Sequence, residues 1–205
     1  MLADCTIKDY LDKAAAGTAV PGGGSVAALN GALAAGLTEM VANLTIGKKG
    51  YEAAEDDMKA LADRAAKLRI KLTGSIDKDA DAYTGVMAAF KLPKTTDAET
   101  AVRKQKIQYA IKHAALVPLE VARDAVAVIE LAGEAIDKGN KNAASDGAVA
   151  AMNARTGALA AIYNVKINLG AIDDERFVEE LTQEVKELES QINKKETAAL
   201  ANVSV

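Results

Sequence analysis

Two long stretches of this 205-residue chain are made almost entirely of small side chains. Residues 26–46 read Val-Ala-Ala-Leu-Asn-Gly-Ala-Leu-Ala-Ala-Gly-Leu-Thr-Glu-Met-Val-Ala-Asn-Leu-Thr-Ile, and the run after Ser145-Asp146 is just as rich in alanine as far as Leu169. Alanine is the best helix former, whereas strands draw on β-branched and aromatic residues. With 44 alanines, two Phe, no Trp and no alternating apolar pattern, the chain has little to build a sheet from. It is expected to be all-α, one bundle of long Ala/Gly-rich helices. Small faces let helices pack closely, within a chain or across a seam between two copies. Residues 26–46 are apolar enough to raise a membrane span, but Asn30, Thr38, Glu39 and Asn43 interrupt them. A span needs about 20 strongly apolar residues, so a buried core helix is expected and no membrane partner.

Start and stop signals divide the chain. Thr6 followed by Asp9 opens a helix that Gly17 ends. Ser25 is expected to cap the small-residue helix, which Gly47-Lys-Lys-Gly50 closes. Residues 51–90 carry Met58, Leu61, Ala65, Leu68 and Leu72 at helical spacing, with Gly74 as a bend point and Leu92-Pro93 as the stop. Thr95 or Thr96 opens the next helix, which runs toward Gly139 with Pro118 expected to kink or break it. Ser145-Asp146 starts the second small-residue helix, and Asp173 or Asp174 caps a last one through Leu200. Nothing in the pattern marks a linker or a repeat, so residues 1–205 read as a single helical domain.

Charge and cysteine content exclude several functions. The net charge is −4, whereas nucleic-acid binding calls for a basic face; no nucleic-acid partner is expected. A single cysteine, Cys5, permits neither an internal disulfide nor a cysteine metal cluster. No basic segment followed by an apolar run opens the sequence, and the expected location is the cytoplasm.

Four features bear chemistry. Pro21-Gly22-Gly23-Gly24-Ser25 leads straight into a helix; its N–H groups and the helix N-terminus could hold an anion or polar ligand, or the glycines could simply allow close packing. The loop matches neither a Walker A motif nor a dinucleotide fingerprint. Lys48 and Lys49 follow the same helix, either as a solvated C-terminal pair or as a site for a carboxylate or phosphate. Asp77-Lys-Asp79-Ala-Asp81-Ala-Tyr83 places three poor helix formers in one helical stretch. Asp77 and Asp81 share a face and Asp79 points about 200° away. The three form either a solvated face or a source of one carboxylate in a cleft; an isolated Asp-x-Asp is a weak metal site. Gly139-Asn140 and Ser145-Asp146 lie before and at the start of the second small-residue helix, which carries Asn164 and Asn168 one turn apart on one face. Two such amides mark a polar pocket or a helix–helix network. His113, the only histidine, reads as structural.

These residues, in this order, resemble the cyclodeaminase/cyclohydrolase family of folate enzymes. The landmarks span nearly the whole chain: Pro21–Ala28, Met40-Val41, Thr45–Lys49, Asp77–Tyr83, Leu92–Thr95, Val117–Leu119, Gly139-Asn140, Ser145-Asp146 and Asn164–Leu169. The resemblance implies an all-α homodimer acting on tetrahydrofolate derivatives. The implied reaction is hydrolysis of 5,10-methenyltetrahydrofolate to 10-formyltetrahydrofolate, or alternatively cyclisation of 5-formiminotetrahydrofolate with loss of ammonia; a non-catalytic folate-binding module is the third reading. Both reactions pass through a tetrahedral carbon between two nitrogens, so a carboxylate can serve without metal or redox cofactor. On this reading Asp79 is the first acid/base residue, with Asp81 and Asp77 behind it. Lys48 and Lys49 meet the anionic glutamate tail or lie near the catalytic carboxylate. Gly22, Gly23, Gly24 and Ser25 line the pocket, and Asn140, Asp146, Asn164 and Asn168 orient the pterin or the attacking water.

Overall fold

The computed structural model describes residues 1–203; the last two of the expected 1–205 unit lie outside them. Six α-helices follow one another: α1 (Ile7–Ala15), α2 (Gly23–Asn43), α3 (Glu55–Phe90), α4 (Asp97–Lys138), α5 (Ala144–Leu169) and α6 (Glu175–Ala201). Single turns of 3-10 helix lie at Leu2–Asp4, Glu52–Ala54 and Lys141–Ala143. Helices α2 to α5 form an up-down-up-down bundle in which each packs on the next and α5 closes back on α2. Helix α6 lies along α4 and α5, and α1 tucks Tyr10 into the core. All-α architecture follows from the alanine content as expected.

The small residues do what the sequence requires of them. A Cβ at Gly157 of α5 would stand 2.8 Å from the Ala27 carbonyl and 3.0 Å from the Gly31 nitrogen. The backbones of α2 and α5 therefore touch, a contact only glycine permits. Larger side chains from the other helices, including Leu72, Leu119, Ile129 and Ile192, fill the space around them and are essentially inaccessible. Helix α2 is the one helix among the described residues long and apolar enough to cross a membrane, and more than half of its apolar window is buried inside the bundle.

Three caps stand where the sequence places them. Thr6 accepts from the Asp9 amide, Asp174 accepts from the Phe177 amide, and Thr96 forms a reciprocal capping box with Glu99. Four expectations need correction. Ser25 does not cap α2: Gly22 holds that position and the helix begins at Gly23, so Ser25 lies in the first turn with its hydroxyl turned toward α3. Ser145 likewise sits inside α5, because the Lys141–Ala143 turn, capped by Asn140, leads directly into a helix that begins at Ala144. Gly74 interrupts nothing, and α3 runs unbroken through 36 residues.

The fourth correction concerns the break allowed at Pro118. Helix α4 continues through it for 42 residues. Proline supplies no N–H to the carbonyl four residues earlier, here Ala114. The side-chain amide of Asn168 donates to that carbonyl at 3.0 Å. One helix thus satisfies the acceptor that the other leaves open, and the helix survives its proline.

Candidate active site

Four elements meet at the N-terminal end of α2. Gly22, Gly23 and Gly24 form its first turn, Asp79, Ala82, Tyr83 and Val86 come from α3, Ala114 from α4, and Asn164, Ile167 and Asn168 from α5. With Ala19 and Val20 they enclose a cleft of about 370 Å³. Asp79 is the only charged residue in its lining. A larger surface depression along α6 is lined by charged side chains that are all exposed.

Asp79 is held tightly. Its carboxylate lies so close to α2 that a Cβ on Gly24 would stand 1.9 Å from Oδ1. The fully buried Ser25 places its hydroxyl 3.1 Å from Asp79 Oδ2 and 2.9 Å from the Ile76 carbonyl. A hydroxyl has one proton and can give it to one acceptor at a time. With Asp79 ionised, Ser25 donates to the carboxylate. With Asp79 protonated, the carboxyl donates to Ser25 Oγ and Ser25 donates to Ile76. Either protonation state is therefore satisfied with little movement. Burial pushes the Asp79 carboxyl above its ordinary range, opposed by the hydrogen bonds from the Ser25 side chain and backbone.

Tyr10 lies behind this carboxylate. Its hydroxyl is buried without a hydrogen-bond partner. Burial, followed by the negative charges of Asp79 and Asp77, pushes its phenol up. The two amides on α5 bond along their own helix, Asn164 to the Ala160 carbonyl and Asn168 to the Asn164 carbonyl, while Asn168 also reaches Ala114. They are at once a helix–helix network and part of the cleft wall.

The three aspartates separate by environment. Asp77 accepts the backbone N–H groups of Leu2 and Ala3 at 2.5 and 3.2 Å and so anchors the N-terminus of the chain. Asp81 is exposed and lines a different groove between α3 and α4, together with the exposed His113, Lys106 and Tyr109. Only Asp79 faces the glycine turn. Tyr83, Val86 and Ile167, which wall the cleft, are not among the expected site residues; the spacing of Tyr83 and Val86 four and seven residues after Asp79, and of Ile167 three after Asn164, is the available signal.

The remaining expected residues gather at the other end of α2, about 30 Å away along a 21-residue helix. The Asn140 amide nitrogen donates to Thr45 Oγ1 at 2.8 Å, its side chain donates to the Leu44 carbonyl and accepts from Asn142, and the Lys141 amide donates to the Tyr51 hydroxyl. Gly47 and Gly50 adopt φ of +72° and +90°, which lets the chain turn back and present Lys48 and Lys49. Asp146 lies in the first turn of α5 at this same end. Within one chain, Lys48, Lys49, Asn140 and Asp146 do not meet Asp79.

Comparison with known proteins gives this two-ended arrangement a family. The formiminotransferase-cyclodeaminase family model matches residues 6–187. The chain belongs to that family. A methenyltetrahydrofolate cyclohydrolase from Methylorubrum extorquens is 45% identical over 183 residues, covering 89% of this chain and 88% of that protein. The formimidoyltransferase-cyclodeaminase of Rattus norvegicus is 33% identical over 187 residues, 91% of this chain but 35% of that longer protein. Among solved structures, the formiminotetrahydrofolate cyclodeaminase of Thermotoga maritima superposes with a TM-score of 0.89 at 33% identity, over 99% of this chain and 98% of that one.

Proposed function

We propose that the protein is a methenyltetrahydrofolate cyclohydrolase, working as a cytoplasmic homodimer on tetrahydrofolate derivatives, with Asp79 as its acid/base group. One observation carries the assignment: a half-buried carboxylate, pushed above its ordinary range by desolvation, is the sole charge in a glycine-floored cleft. The methenyl substrate is an amidinium cation, and a lone desolvated carboxylate is its natural counter-ion. The 45% identity to a methenyltetrahydrofolate cyclohydrolase supports the choice of reaction.

The chemistry follows from that geometry. Asp79 takes a proton from water as the oxygen bonds to the methenyl carbon, giving a neutral tetrahedral adduct. Asp79 then returns the proton to N5 as the bond from carbon to N5 breaks. The adduct's hydroxyl loses its proton to solvent and becomes the formyl carbonyl. One water proton thus ends on N5 and the other in solution. A carboxyl raised above its ordinary range by desolvation holds a proton more readily than an exposed one, which suits its return to N5, and the Ser25 hydroxyl, able to donate or accept, follows the change of charge. Asn164 and Asn168, at the cleft wall, orient the pterin or the water through the oxygens their amides leave free. Gly22, Gly23 and Gly24 admit the ring close to the backbone.

The structural likeness to a formiminotetrahydrofolate cyclodeaminase favours the cyclising reaction as the second reading, since the same carboxylate would protonate departing ammonia. Near-ultraviolet absorbance separates the two. Faster loss of the methenyl chromophore identifies the cyclohydrolase, and its appearance from 5-formiminotetrahydrofolate identifies the cyclodeaminase. Asp79→Asn should abolish either signal while circular dichroism stays native. A folded protein silent in both cuvettes overturns the catalytic reading, and full turnover by Asp79→Asn overturns the assignment of the residue.

A further inference from the structure

Helix α1 gives the bundle one side chain. Tyr10 is its only buried residue, while its apolar neighbours Ile7 and Leu11 stand open to solvent. The segment before it is fixed on α3, where the two carboxylate oxygens of Asp77 accept the backbone N–H groups of Leu2 and Ala3. The phenol ring joins the core cluster that holds Leu72 and Ile76 of α3. Its hydroxyl is thereby delivered to the stretch of α3 that carries Asp77 and Asp79. The charges of both act on it, Asp79 more strongly.

Two buried side-chain polar atoms among the described residues lack a hydrogen-bond partner, Tyr10 Oη and Asp124 Oδ2. Asp124 Oδ2 is compensated, because the Lys71 ammonium stands 2.9 Å from it. Tyr10 Oη has no such compensation. A buried hydroxyl with no partner destabilises a fold relative to the same ring without the oxygen. Phenylalanine would therefore fill this place in the core at lower cost, and the oxygen needs an acceptor in some state of the protein. Asp77 is pinned on both oxygens by backbone groups. Asp79 accepts from the Ser25 side chain and backbone, and an ionised carboxylate offers about four acceptor positions. It is also the group whose charge changes in the reaction proposed above.

We infer that Tyr10 is a positioning residue for Asp79: its hydroxyl, unpartnered at rest, turns to donate to the carboxylate whenever Asp79 is ionised. The inference rests on the reading of Asp79 as the acid/base group. Tyr10 does not line the cleft, so it acts on substrate only through Asp79. The phenol itself is pushed up by burial and by the two carboxylates, and it stays a donor throughout. Other charges nearby face away or are engaged. Lys8, Asp9, Asp12 and Lys13 of α1 and Lys78 and Asp81 of α3 are exposed, and the N-terminal amine pairs with Asp4. Helix α2 carries no charged residue before Glu39. Helices α4 and α5 bring Ala114, Asn164 and Asn168 to the cleft.

Tyr10→Phe tests this by removing one oxygen. The hydrogen bond exists only while Asp79 is ionised, so its contribution is present at high pH and lost as pH falls through the Asp79 pKa. Tyr10→Phe should melt below wild type at pH 8 and at or above it at pH 4. In an Asp79→Asn background the effect of Tyr10→Phe should not vary with pH. In turnover, the acidic limb of the kcat/KM profile should move up by about one pH unit, a fall of about tenfold on that limb with the alkaline plateau nearly unchanged. A loss of stability equal at both pH values, or failure to fold, means a purely structural hydroxyl and overturns the inference, as does an unmoved limb with no pH-dependent stability difference. If that stability difference appears, and disappears with Asp79→Asn, while the limb stays where it is, the hydrogen bond stands and the acid/base role of Asp79 falls.

Discussion

Replacing Gly24 by alanine separates catalysis from stability. An ideal Cβ at this position would stand 1.9 Å from Asp79 Oδ1 and 2.5 Å from its Cγ, whereas ordinary contact begins at 3.4 Å. The carboxylate must retreat by about 1.5 Å. It can do so, because the clash is with the end of a side chain rather than with backbone. The retreat breaks the Ser25 hydrogen bond, a loss of about 1 kcal/mol. Alanine in place of glycine in a helix returns at most about 1 kcal/mol. The two effects nearly cancel, so Gly24→Ala should unfold within about 1 kcal/mol of wild type. Catalysis has no such compensation: a misplacement of about 1 Å can reduce turnover on the order of 100-fold, which is about 2.7 kcal/mol of transition-state stabilisation. The expected result is a folded protein with kcat/KM at or below about a hundredth of wild type. Gly74→Ala is the matched control. It lies in α3, where an added Cβ meets nothing within 4 Å, and it should gain up to about 1 kcal/mol with unchanged turnover. Urea unfolding and the methenyl absorbance assay read both quantities. Gly24→Ala with turnover within about threefold of wild type, under 1 kcal/mol in the barrier, would refute the claim that the position of Asp79 governs the reaction.

Three further outcomes follow from the same geometry. Ser25→Ala removes a donor that favours the ionised carboxylate, so the Asp79 carboxyl should rise further and the acidic limb of the kcat/KM profile should move to higher pH; an unmoved limb counts against Asp79 as the titrating group. Because burial raises Asp79 in the folded state, ionising it opposes folding, and stability is lost as pH climbs from the ordinary carboxylate range through the raised value. Asp79→Asn should therefore melt above wild type at pH 8, with the difference shrinking on acidification, and a lower melting temperature at pH 8 contradicts the desolvation argument. Asn168→Ala should lose about 1–3 kcal/mol by stranding the Ala114 carbonyl, and Pro118→Ala should recover part of that loss only in the Asn168→Ala background; additive effects would show that the two residues are not linked.

The elements were legible where their signals are local. Thr6, Thr96 and Asp174 cap helices because a short oxygen-bearing side chain reaches an amide two or three residues ahead, and that reach is visible in sequence. Ser25 has the same side chain and was misplaced, because its partners are on α3, about fifty residues away. Pro118 misled for the same reason. Its local effect is to end a helix, and the amide that prevents this comes from Asn168 on another element. The sequence showed that three aspartates in one helix needed a reason. It did not show that each has a different one: Asp77 binds the N-terminal amides, Asp79 meets Ser25, and Asp81 meets water.

The candidate residues could be picked from the sequence, but not where each would stand. Small-residue helices are what allow the Gly22–Gly24 turn, Asp79 and Asn164 to approach one another, since a Cβ on Gly23 would already stand 3.3 Å from the Asn164 amide. The same long helices hold Lys48, Lys49, Asn140 and Asp146 at the far end of the bundle. A rigid rod of 21 residues cannot fold back to bring its two ends together.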